Sequence, residues 1–150
     1  MNYSESDFLE TAGPETLELI ARARELTREY SHSDYRDTEG RNAILHELLG
    51  QIGENVAIDT PFHCDHGKNI FIGNDVIINM NCTFVDDRPI RIGSRVLIAS
   101  NVQIYTASHP VLPGVTIGKN SVIGAGSVVT RSIPENSVAV GSPCKVIRKL

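Results

Sequence analysis

One histidine in this sequence is placed to take a proton: His109, in the stretch from Ile104 to Gly118 that reads IYTASHPVLPGVTIG. An imidazole has an unperturbed pKa of about 6.5, so it exchanges protons near neutral pH. Upstream lie Asp65 and His66 in CDHGKN, then Asp86 and Asp87 in FVDDRP. Carboxylates and imidazoles are the groups acid–base chemistry uses, provided the fold gathers them. The residue types alone leave two readings of His109 open, a general base or a solvated histidine in a turn before Pro110.

What would gather them is a repeat. From Ile52 onward an aliphatic residue recurs every six positions: Ile52, Ile58, Cys64; Ile72, Ile78, Phe84; Ile92, Ile98, Ile104; then Val111, Ile117, Ile123 and Val129. An amphipathic helix would repeat at 3.6, so a six-residue unit predicts one flat side of a three-sided parallel solenoid. Successive coils start at Ile52, Ile72 and Ile92, a spacing of 20 where three six-residue sides give 18. The extra residues fall on the third side each time. Corners of stacked coils lie ~4.8 Å apart, so CDHGKN, FVDDRP and IYTASHP are expected to form one edge, with Asn79 and Asn81 on the neighbouring side. Lys68 and Arg88 break the inward pattern there and force that edge open to solvent. Glycines in pieces such as IGAGS are assigned to corners, where a positive φ favours Gly.

Ahead of the repeat, residues 14–30 carry Leu19, Ala23, Leu26 and Tyr30 at helical spacing behind Pro14. A second helix is predicted over 39–49, with Thr38 as N-cap, Ile44, Leu45, Leu48 and Leu49 on one face, and Gly50 at its stop. This hairpin is expected to cap the open end of the first coil. The organisation predicted is thus a helical cap over 1–51, a solenoid over 52–143 and a basic tail over 144–150.

With 150 residues, 41% hydrophobic, 21% charged and a net charge of −4, the chain fits one globular domain. The charge gives no global attraction to nucleic acid or an anionic membrane. Its opening residues have no leader pattern and no stretch approaches ~20 apolar residues, so a cytoplasmic protein is expected. Three dispersed cysteines, Cys64, Cys82 and Cys144, make no disulfide framework. HCDH, residues 63–66, offers metal-ligand types, but Cys64 holds an inward register position.

The hairpin, PFHCDHGKNIFIG, NMNCTFVDD, IYTASHP and the ending VLPGVTIGKNSVIGAGSVVTRSIPENSVAVGSPCKVIRKL resemble the maltose and galactoside O-acetyltransferases of the hexapeptide-repeat superfamily. The resemblance covers nearly the whole chain. It implies a left-handed parallel β-helix with an N-terminal α-helical cap, and a cytoplasmic homotrimer. It implies transfer of acetyl from acetyl-coenzyme A to a sugar hydroxyl, at sites between two subunits and without a metal. By the same resemblance His109 is the general base, and Asp65, Asn79 and Asp87 contact the sugar. Ala125 and Thr130 approach the pantetheine, and Arg131, Lys145 and Arg148 hold coenzyme phosphates, although a plainly solvated tail is an alternative for these three.

The chain departs from the family pattern directly after His109. Roughly thirty family residues, an extruded loop and further repeat sides including an x-W-I-G segment, have no counterpart, and Pro110 leads straight into Val111. If Val111 opens the fourth coil, two sides are missing rather than three, so every residue after it is rotated by one face relative to the family or else the coil is irregular; with the rotation, Ala125, Thr130 and Arg131 leave their places relative to His109. Two alternatives to the acetyltransferase follow: a catalytically impaired remnant that folds and binds coenzyme A, and a zinc enzyme using His63, His66 and His109.

Overall fold

The computed structural model describes residues 13–106 and 113–150, so His109 and Val111 lie outside the described residues. Two helices come first, α1 (Pro14–His32) and α2 (Thr38–Leu48). The N-cap of α2 is Asp37 rather than Thr38: its carboxylate accepts the Gly40 N–H at 2.9 Å. A carboxylate there also meets the positive end of the helix dipole. Ala23, Leu26, Tyr30, Leu45, Leu48 and Leu49 are buried and Ile44 is partly so, whereas Leu19, predicted in the stripe, is 46% exposed. The hairpin is bolted to the first coil by polar groups as well. The Tyr30 hydroxyl donates to the Ile58 carbonyl at 2.6 Å, and the buried Arg41 guanidinium lies 4.1 Å from the Tyr30 ring centroid.

The remainder is a three-sided parallel solenoid. Its strands are β1 (Gln51–Ile52), β2 (Ala57–Ile58), β3 (Phe62–Cys64), β4 (Ile70–Ile72), β5 (Ile77–Ile78), β6 (Cys82–Val85) and β7 (Ile90–Ile92). There follow β8 (Leu97–Ile98), β9 (Gln103–Tyr105), β10 (Val115–Ile117), β11 (Val122–Ile123), β12 (Val128–Val129), β13 (Ser137–Val140) and β14 (Lys145–Lys149). Sheet A stacks β1-β4-β7-β10, sheet B β2-β5-β8-β11-β13-β14, and sheet C β3-β6-β9-β12. Every predicted register residue among the described ones is buried except Ile52, which is partly buried and packs against the core. Each fully buried aliphatic side chain contributes roughly 1.5–3 kcal/mol of transfer free energy, which is why six-residue spacing dominates the sequence.

The fourth coil does not start at Val111. Ile117 pairs in register with Ile92, Ile123 with Ile98 and Val129 with Ile104. The predicted rotation by one face therefore does not occur: β10 stacks on β7 in sheet A, and the sides resume their order from there. The tail is not loose either. Residues 145–149 form β14, antiparallel to β13, with a register shift between Val138 and Ala139.

Three edges join the sheets. On the A–B edge the glycines that follow the register residues act through close approach, not positive φ. A Cβ on Gly93 would lie 2.6 Å from the Lys119 nitrogen of the coil above. The left-handed positions are instead Asn55, Asp75, Arg95, Asn120 and Asn136, with φ of 55–58°. The B–C edge is built from 79–81, 99–101 and 124–126, where Gly126 does take a positive φ of 70°. The C–A edge carries the long corners 65–69 and 86–89.

Candidate functional site

The long corners of the C–A edge interrupt the sheet ladder, so their backbone N–H groups need other acceptors. A buried side chain from the coil above supplies them. Asp86 has no exposed surface; its Oδ1 accepts the N–H groups of Asp65 at 3.0 Å and His66 at 2.9 Å, and its Oδ2 that of Asn69 at 3.3 Å. The Asn69 amide donates in return to the Asp86 carbonyl at 2.7 Å. One coil higher, the equally buried Thr106 hydroxyl accepts the Arg88 N–H at 2.9 Å and donates to the Val85 carbonyl at 2.9 Å. Asp86, expected on the solvent-facing edge, is therefore inside it. Burial pushes its carboxyl above the usual range, opposed by the N–H donors and by His66.

With the backbone held, the remaining polar side chains turn outward. The His66 ring lies with Nε2 3.2 Å from Asp87 Oδ1, and the Asp65 carboxylate accepts from Arg24 of α1 at 2.9 Å. Arg24 also donates to the Cys64 carbonyl. No spacing in the sequence marks Arg24, because its partner lies on another element. Lys68 and Arg88 are exposed, as expected, and Lys68 donates to the carbonyls of Glu47 and Leu49 at the end of α2.

The predicted site residues fall in three places within one chain. Asp65 and Asp87 share the C–A edge with Thr130 and Arg131, which follow β12 two coils above Asp87. Asn79, whose amide donates to the Ile98 carbonyl at 3.1 Å, is on the B–C edge, two coils below the exposed Ala125. Lys145 and Arg148 are exposed on β14. His109 enters the chain three residues after Thr106, outside the described residues.

No nucleophile presents itself among the thiols. Cys64 and Cys82 are buried and burial pushes both up; Cys144 is half-buried and shifts the same way. His63 is exposed on β3 while His66 is turned to Asp87, and no three His, Cys, Asp or Glu side chains gather to hold a metal among the described residues. No helix among the described residues is long and apolar enough to cross a membrane.

Comparison with known proteins places this geometry in context. Residues 8–53 match the family model described as the maltose acetyltransferase hexapeptide capping motif. The galactoside O-acetyltransferase of Escherichia coli K12 is 39% identical over 158 aligned positions, which span 86% of this chain and 78% of that protein. Those positions hold about 129 residues of this chain, 86% of 150, so about 29 residues of the relative have no counterpart. Among solved structures, a maltose O-acetyltransferase from Clostridium difficile 630 superposes with a TM-score of 0.79 at 36% identity, covering 92% of this chain and 89% of its own. A galactoside acetyltransferase in complex with coenzyme A gives 0.75 at 33% identity, covering 99% and 92%.

Proposed function

The chain belongs to the maltose and galactoside O-acetyltransferases of the hexapeptide-repeat acetyltransferases, and from that premise we propose that it acetylates a hydroxyl of a small sugar with acetyl-coenzyme A as donor. His109 acts as the base. The acceptor hydroxyl gives its proton to the imidazole as its oxygen attacks the thioester carbonyl. The carbon–sulfur bond breaks, and the coenzyme thiolate leaves with the proton returned from the imidazolium. Direct transfer suits a chain whose thiols are all driven toward their neutral form.

The observation that carries this reading is the C–A edge. Outward carboxylates at Asp65 and Asp87 accept hydroxyl groups well, and the segment bearing His109 starts at Thr106, itself hydrogen-bonded to the Arg88 corner. On the donor side, Ala125 and Gly126 leave room for a close backbone approach, and Arg131, Lys145 and Arg148 supply exposed cations for coenzyme phosphates.

Asn79 and Ala125 lie on the other edge from Asp65, Asp87, Thr130 and Arg131, so one copy presents two half-sites. We infer a homotrimer in which the B–C edge of one subunit meets the C–A edge of the next. An apolar column on the outer face of sheet B supports the association: Ala57, Ile77, Leu97, Val122 and Val138 stand in register, with Ile77 49% and Leu97 38% exposed. The same reading puts the protein in the cytoplasm, where its free cysteines stay reduced.

Thiol release from acetyl-coenzyme A, followed with and without maltose, glucose and galactosides, tests the proposal against the His109→Ala variant. Acceptor-dependent release should fall about a hundredfold or more. Release that is absent, or unchanged in the variant, leaves a folded remnant of the family. Sedimentation of a Leu97→Asp variant tests the assembly: it should dissociate a trimer, and a monomeric parent would end that part of the reading.

A further inference from the structure

We propose that Asp86 is the positioning residue of the acceptor subsite, its buried carboxylate holding the 65–69 corner in the conformation that turns Asp65 and His66 outward beside Asp87. The inference rests on reading this edge as the acceptor subsite. Asp86 has no exposed surface and so touches no acceptor. Its influence passes through the backbone it holds.

The device is repeated and graded. Asp86 is the second residue after the register residue Phe84, and Thr106 the second after Ile104; both are fully buried, and both accept N–H groups from the corner one coil below. The first corner presents three N–H groups, from Asp65, His66 and Asn69, which takes two carboxylate oxygens. In the second corner Pro89 has no N–H, and the hydroxyl of Thr106 accepts that of Arg88. The acceptor chosen at each level thus matches the demand of the corner beneath it. Two adjacent N–H groups converging on one oxygen also fix the direction in which the Asp65 and His66 side chains leave the chain. That direction brings one to Arg24 and the other to Asp87.

Hydrogen exchange and steady-state kinetics on Asp86→Ala, Asp86→Asn, Thr106→Val and Thr106→Ser variants test it in the intact chain. In Asp86→Ala the amides of Asp65 and His66 should lose at least tenfold protection while those of Ile77 and Leu97, in the sheet B ladder, keep theirs. The KM for the sugar should rise at least tenfold with the KM for acetyl-coenzyme A within twofold. Asp86→Asn, which retains one acceptor oxygen and adds a donor facing the Asn69 N–H, should fall between, and it stands in should the alanine variant not fold. Thr106→Ser should behave as the parent and Thr106→Val should not. Unchanged protection at Asp65 and His66 in a folded variant overturns the proposal, as does lost protection with unchanged sugar kinetics. A parent chain that acetylates no sugar defeats the sugar reading by itself, and the exchange result then decides alone whether Asp86 holds the corner.

Discussion

The A–B and C–A edges of the solenoid solve the same problem, turning the chain through a corner, in opposite ways. On the A–B edge the polar groups satisfy one another along the stack: the Asn55 amide donates to Asp75 at 3.0 Å, the Arg95 Nε to Asn120 at 2.6 Å and the Asn120 amide to Asn136 at 2.7 Å. On the C–A edge the corners are longer, and the acceptors that hold them are buried in the next coil up, which frees the carboxylates of Asp65 and Asp87 to face outward. Regularity stabilises one edge; buried polar support makes the other available for chemistry.

The sharpest way to break this contrast is at Gly93. An alanine Cβ there meets the Lys119 nitrogen at 2.6 Å and its Cα at 2.9 Å, backbone that cannot swing aside. Gly93→Ala should cost about 3 kcal/mol, the upper part of the overpacking range, measured by denaturant unfolding. Asp87→Ala should do the reverse: half-exposed and paired with His66, it should leave stability nearly unchanged while lowering kcat/KM for the sugar about tenfold, or about 1.4 kcal/mol of transition-state stabilisation. Asn120→Ala removes two ladder bonds and puts alanine at a φ of 56°, so about 1 kcal/mol of stability should go without effect on the sugar.

The smallest effect concerns pH. Burial raises the Asp86 carboxyl above its unfolded value, so the stability tied to its protonation is fully present below the ordinary aspartate range and is lost as pH rises through the elevated native value. Asp86→Asn cannot ionise. Its melting temperature relative to the parent should therefore improve as pH rises from about 4 toward 7. A difference that is flat, or of the opposite slope, would mean that the N–H donors outweigh burial.

The hexapeptide register was legible because each Ile, Val or Phe in it stacks on its counterparts above and below, so burial writes a strict period into the sequence. Val111 shows the limit: an apolar residue six before Ile117 imitates the register, and only the pairing of Ile117 with Ile92 shows where the coil restarts. Thr38 and Asp37 are both good caps one residue apart, and sequence does not decide between them. At the site, Asp65 and Asp87 were found as polar residues in long corners. Asp86 reads in the sequence as a third of the same kind, because the contacts that set it apart come from the corner of another coil. Arg24 left no trace, since its contact with Asp65 joins a helix to a corner across the fold.

A residue in such a stack has an azimuth, fixed by its edge, and a height, fixed by the number of coils beneath it. Because Ile117 sits over Ile92, the fourth coil keeps the bearing of the third. Whole coils are then the quantum in which the chain can be lengthened or shortened, each moving everything above it by ~4.8 Å along the axis and turning nothing. Thr130 and Arg131 keep the bearing of Asp65 and Asp87 whatever the coil count, so the reach between the two ends of a site on that edge is adjustable in steps while its direction is preserved.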